Sequence, residues 1–132
     1  MVYILLNAPQ ILAATFIGLL IGVLWHRLFA RAGAASLKRP GLILAALLAE
    51  FWLAAILAGA LILAPKEAGP WVMAIGSAIV IWAGFVLPVL SVSMIYRGQP
   101  VARTVQDNLH WLVVMLGQAM VLQSLGLVPP PA

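Results

Sequence analysis

The sequence predicts an all-α integral membrane protein, a bundle of four transmembrane helices with both termini on the non-cytoplasmic side. Three observations carry that expectation. Of 132 residues, 65% are hydrophobic and 8% charged, whereas soluble domains carry roughly 25% charged and about 45–50% apolar residues. Four apolar runs each reach the ~20 residues that a helix needs to cross hydrocarbon. The basic residues gather between particular runs, as short cytoplasmic loops do.

The first run spans about 3–29. Met1 to Gln10 contain no Lys or Arg, so the positive start of a signal peptide is missing and a retained helix is expected. The second run covers about 41–64, the third about 71–96 and the fourth about 104–128. Between them lie Arg31 to Pro40, Pro65 to Pro70, and Arg97-Gly98-Gln99-Pro100. The whole chain reads as a single four-span domain. Arg27, Arg31, Lys38 and Arg39 fall between spans one and two, and Arg97 and Arg103 between spans three and four. Only Lys66 lies on the other side, beside Glu67, and this asymmetry sets the orientation. The six basic residues are candidates for holding anionic lipid head groups, each worth about 1 kcal/mol near a charged surface.

Aromatic residues fit the same placement. Tyr3 and Trp71 belong at the outer interface and Trp25, Tyr96 and Trp111 near the inner one, where amphipathic rings are favoured. Trp52 and Trp82 fall nearer mid-membrane, and packing is the default for both. The tail Val128-Pro129-Pro130-Pro131-Ala132 cannot continue a helix and should leave as a short extended stub.

Lipid gives helices no hydrophobic reason to associate, so small and polar residues mark the contact faces. In span one, Asn7, Ile11, Thr15, Gly18, Gly22 and His26 share a face, and Gly18-x-x-x-Gly22 is a GxxxG. Span three carries Ser77, Gly84, Pro88 and Ser91. Pro88 removes an N–H and opposes the Gly84 carbonyl, which predicts a kink. Span four carries Asp107, His110, Val114, Gly117, Gln118 and Val121. The candidate packing residues are therefore Gly18, Gly22, Ser77, Gly84, Pro88 and Gly117.

Glu50 is the costly residue. An ionised acid near the middle of a span costs about 2.5–3.5 kcal/mol on insertion scales, so it is a functional candidate by default. At 1.5 Å per residue it lies about 13 Å from the cytoplasmic end, and His110 about 9 Å. Glu50, His110 and Gln118 thus form a candidate intramembrane polar cluster. One reading makes Glu50 a neutral or hydrogen-bonded tie between helices, with His110 or Gln118 as partner. A second makes it a titrating group in transport, and a third a contact for a partner protein, lipid or cofactor.

His26 and His110 lie at similar depth on spans one and four, which invites haem as an alternative; nothing else in the sequence supports it, and no cofactor is expected. Two histidines and one distant acid give no recognisable metal spacing. The absence of cysteine removes disulfides and thiolate chemistry. The net charge of +4 sits between spans rather than on a basic face, so no nucleic-acid partner is expected. No nucleophile elbow, Walker loop, HExxH or GxGxxG opening a helix is present, and the chain is not expected to be an enzyme.

Three stretches resemble a known family: Gly18 to Trp25 in span one, Trp82-Ala83-Gly84-Phe85-Val86 in span three, and Gln106-Asp107-Asn108-Leu109-His110 opening span four. With the length and the four spans, they resemble the small four-helix bacterial membrane proteins catalogued as a domain of unknown function (DUF1761-like). The resemblance implies a multi-pass protein of the bacterial inner membrane and brings no activity, cofactor or site residues. The chain does not resemble small multidrug exporters, whose essential acid lies in the first span, nor fluoride channels, whose third span is rich in Phe and Thr.

The functional expectation is a non-catalytic accessory or structural subunit, packing against a larger membrane complex of respiratory or photosynthetic kind. Its partners would be membrane lipids and other membrane subunits, or further copies of itself. The alternative is a small homo-oligomeric proton-coupled transporter or channel using Glu50.

Overall fold

The computed structural model describes residues 1–29 and 38–132. The described residues form α1 (Val2–Leu6), α2 (Ala8–Leu28), α3 (Pro40–Ile62), α4 (Pro70–Ile81), a π-helical segment (Trp82–Val86), α5 (Leu87–Tyr96) and α6 (Val101–Leu125). The fold is all-α with several long apolar helices. Among the described residues, three helices are long and apolar enough to cross a membrane: α2, α3, and the continuous run from Pro70 to Tyr96. At 25 residues, α6 also has the length, but it carries more polar side chains.

The apolar runs are interrupted where backbone chemistry requires it. Proline lacks an N–H and restricts the residue before it, so Pro9 starts a new helix rather than continuing one. The span expected over about 3–29 therefore breaks at Asn7. In the third run the backbone just before Pro88 is π-helical. The Leu87 N–H bonds back to the Trp82 carbonyl, five residues away, which shifts the register just before the proline. The end of α5 is a Schellman turn: the N–H of Gly98 reaches the carbonyl of Ile95 at 2.9 Å, and that of Gln99 reaches Met94 at 3.0 Å. Gly98 has φ 66°, which a residue with a Cβ adopts at a cost. The last helix stops at Leu125 because Gly126 turns left-handed, with φ 76°.

Residue pairs along α2 and α6 run in opposite senses, from Asn7 with Val128 to Gly22 with His110. These helices are antiparallel. Both also pack on α3, while α4 and α5 reach the bundle mainly through α6. The most polar long helix thus lies at the centre, where its polar groups meet protein. Between α2, α3 and α6 sits a core of Ile11, Ala14, Ala54, Ala55, Leu57, Ala58, Met115, Ala119 and Leu122. Its many alanines let the helices approach closely.

The bundle's two ends differ. The end of α2 and the starts of α3 and α6 carry Arg27, Lys38, Arg39 and Arg103, with Arg97 just past α5. Arg31, the other basic residue expected there, lies outside the described residues. The opposite end is closed by a clamp. Asn7 Nδ2 donates to the Val128 carbonyl at 2.8 Å, and the Val128 N–H donates to Asn7 Oδ1 at 2.7 Å. The proline-rich tail thus starts pinned to the first helices. Beside the clamp, the Tyr3 hydroxyl donates to the Ala55 carbonyl at 3.1 Å, and its ring occupies the space a Cβ at Gly59 would need.

Candidate functional site

Glu50 lies on the inward face of α3 and is 3% exposed; Gln118 on α6 is fully buried. The amide Nε2 of Gln118 donates to Glu50 Oε2 at 2.8 Å and to the Glu50 backbone carbonyl at 3.1 Å. A carboxyl oxygen accepts such a bond whether the group is ionised or carries its proton on the other oxygen. An arginine here would favour only the charged form. Gln118 therefore holds Glu50 in place without fixing its charge.

The third helix supplies the space. A Cβ added at Gly18 would run into Glu50 Oε2 and lie 2.7 Å from Gln118 Nε2 and 2.8 Å from Glu50 Cδ. The carboxyl group sits in the notch that Gly18 leaves. One turn along α2, a Cβ at Gly22 would lie 3.7 Å from His110 Nε2. The GxxxG of α2 is therefore a pair of seats, one for an acid and one for an imidazole, spaced by about 6 Å of helix rise. A turn further on, His26 Nδ1 lies 2.9 Å from the Gly22 carbonyl. A carbonyl only accepts, so Nδ1 is the donor in that bond. The His26 and His110 rings meet edge to face with centroids 6.1 Å apart. Glu50, His110 and His26 thus form a ladder along α2.

These three side chains line one cavity of about 570 Å³. Its walls are otherwise apolar, made by Leu19 and Val23 of α2, Leu42, Ile43, Ala46 and Ala49 of α3, and Trp111 of α6. The ladder runs from buried Glu50 to exposed His26 near the basic end. Beyond Glu50, toward the other end, Ile11, Ala54, Ala58, Ala119 and Leu122 are fully buried and close the bundle. Among the described residues, His110 Nε2 and Gln118 Oε1 are buried without a hydrogen-bond partner, and no group of three or more His, Asp or Glu is placed to hold a metal ion.

The other packing candidates are distributed differently. A Cβ at Gly117 would lie 2.6 Å from Ile21 Cδ1, so that glycine makes room for α2. Ser77 is half-buried, whereas Gly84 and Pro88 are exposed and a Cβ at Gly84 would meet nothing within 4 Å. Ser91 instead serves α6: Asn108 Nδ2 donates to its Oγ at 3.1 Å and to the Thr104 carbonyl at 2.8 Å. The Trp82 indole N–H donates to the Asn108 carbonyl at 2.9 Å, so this tryptophan has a polar partner as well as packing. Trp52 is 52% exposed. Of the basic residues, Arg103 donates from Nη1 to Gln99 Oε1 at 2.9 Å.

Sequence reasoning placed Glu50, His110 and Gln118 in one cluster and put His26 on the face of span one that carries Gly18 and Gly22, but did not join it to that cluster. The spacing of Gly18, Gly22 and His26 was the available signal, since each lies one turn beyond the last. The Asn7 clamp was signalled only by a polar residue standing in an apolar run just before Pro9.

Comparison with known proteins returns no matching family model, no matching curated protein and no matching solved structure. The resemblance of the three short stretches therefore adds nothing to the site, whose reading rests on its own geometry.

Proposed function

We propose that the chain is a four-span membrane protein, with both termini non-cytoplasmic, that works as a small proton-coupled carrier through Glu50. The observation that carries this reading is the ladder Glu50–His110–His26 inside a single apolar cavity. An acid at that depth is expensive to keep, and Gln118 accepts both of its protonation states. The imidazoles stand between it and the basic end, where protons would enter or leave. Asp107, one turn before His110 on α6, is the acid nearest the histidines in sequence, and Gln118 and Gly18 face Glu50 from α6 and α2. A single copy already offers a cavity, so a homo-oligomer is not needed to enclose a solute.

The decisive measurement uses liposomes loaded with a pH-sensitive dye. Under an imposed pH gradient, the wild-type protein should speed proton equilibration above that of empty liposomes. Glu50→Gln should return the rate to that of empty liposomes while the protein still folds and inserts. Equal rates for wild type and Glu50→Gln would remove the proposal.

A second reading, the non-catalytic accessory subunit of a larger membrane complex, is favoured by the α4–α5 run. Only 11% of its most apolar window is buried, and Gly76 and Gly84 face open space, where a partner helix would fit. Gentle extraction and native separation test it. Co-migration with other membrane proteins supports the subunit, and migration alone supports the carrier.

A further inference from the structure

We propose that the cavity takes a lipid-soluble amine, an apolar body carrying one ammonium group that pairs with Glu50. The proposal rests on the carrier reading and names its substrate class. Size is the first argument, because about 570 Å³ falls within the ~300–1,000 Å³ of sites for drug-sized ligands. Charge is the second. The ionisable groups of the lining are one acid and two imidazoles, with no Lys or Arg among the described residues. An anionic head would meet the Glu50 carboxylate with no permanently charged Lys or Arg in the lining to offset it, and in an apolar wall that repulsion is weakly screened. A cation gains from the same wall.

The route of entry is the third argument. Leu42 and Ile43 belong both to the cavity wall and to the outward surface of α3, at 37% and 52% exposed. In a bilayer these exposed wall residues would meet lipid, which gives a molecule dissolved in hydrocarbon a route to the cavity. Trp111 also lines the cavity, beside His110 with ring centroids 5.1 Å apart, and indole is the side chain that attracts an ammonium best. Exchange balances on one group: as the ammonium binds, Glu50 gives up one proton, which leaves by way of His110 and His26, and reprotonation releases the amine.

The test is titration calorimetry on the purified protein in detergent with three probes sharing one ring: naphthylmethylamine, naphthalenemethanol and naphthoate. The amine should bind saturably, about tenfold or more tightly than the alcohol, as charge pairing in an apolar site allows, and naphthoate should not bind. Glu50→Gln should bring the amine to the affinity of the alcohol. Ala46→Phe, on the cavity wall and with Glu50 untouched, should weaken amine and alcohol together. If Glu50→Gln fails to fold, the order of the three probes on the wild type and the Ala46→Phe result decide the matter. An amine no tighter than the alcohol, or one indifferent to Glu50→Gln, overturns the proposal. Such a failure with dye-reported proton flux intact would leave the carrier standing without this substrate. Amine binding that persists without any proton flux would keep the site and remove the carrier.

Discussion

The two glycine-bearing stretches of this molecule use the same residue for opposite purposes. In α2, Gly18 and Gly22 face inward, and what fills the space over them is an acid and an imidazole from other helices. In the α4–α5 run, Gly76 and Gly84 face outward and nothing lies within 4 Å of where a Cβ would stand. The first pair seats polar side chains from other helices, whereas the second leaves open space. Small residues in an apolar helix therefore mark places where something approaches closely, but not what approaches. Nearby polar groups decide that: Glu50, Gln118 and His110 converge on α2 and have no counterpart on α4.

The largest expected effect comes from making the inward glycine like the outward one. Gly18→Ala places a methyl group on the Glu50 carboxyl and 2.7 Å from the Gln118 amide nitrogen that holds it. Overpacking of this kind costs about 1–3 kcal/mol, and the carboxyl must leave its seat. We expect a lower unfolding midpoint in detergent and loss of proton flux. The matched change Gly76→Ala should cost nothing measurable. Equal losses at the two positions would show that the contrast between the regions is not real.

Next comes Gln118→Leu, which keeps the volume and removes the donor. Glu50 then loses its hydrogen bond from the Gln118 amide, and an unsatisfied buried polar group costs about 1–3 kcal/mol. Stability should fall, and Glu50→Gln added to Gln118→Leu should fall by less than the two single effects summed, because both act on one bond. Additive losses in denaturation would mean that the bond contributes little.

Much of this arrangement was legible beforehand, for a physical reason. Composition fixes the solvent a chain needs, and hydrocarbon length fixes helix length, so the long apolar helices and the Arg97–Pro100 turn could be read directly. Glu50 stood out because a lone acid in such a run has a large cost. His26 did not, because a histidine at a helix end is cheap; only its register with Gly18 and Gly22 places it in the ladder. The break at Asn7 and the π turn before Pro88 are backbone responses to proline, and the sequence tells where they occur but not which form they take. Gly84 and Pro88 share a helical stripe with Ser77 and Ser91, yet only packing in three dimensions shows that part of that stripe faces outward.

A smaller effect is expected at the far end of the bundle. Asn7→Ala removes the amide that bonds both polar groups of Val128. At about 0.5–1.5 kcal/mol per net hydrogen bond, the loss should be modest and confined to the tail. Hydrogen exchange should rise at Val128, while proton flux and amine binding at the opposite half stay unchanged. A change in flux would mean that the sealed end is coupled to the cavity, and the division of the bundle into a closed half and an open half would need revision.

The smallest effect sharpens the comparison most. Gly84→Ala adds a methyl group where the isolated chain has open space, at an exposed helical position. Alanine is favoured over glycine in a helix by up to about 1 kcal/mol, though the neighbouring π turn limits the gain, so the purified protein should be as stable as wild type or slightly more so. The informative readout is the state of the protein extracted from its native membrane. If the outward glycines meet only lipid, migration on a native gel is unchanged. If a partner helix packs there, the added methyl group releases it while leaving the chain itself sound. That pattern would make the α4–α5 face a second site of close approach, built from glycines like the first but completed by another protein instead of by Glu50 and His110.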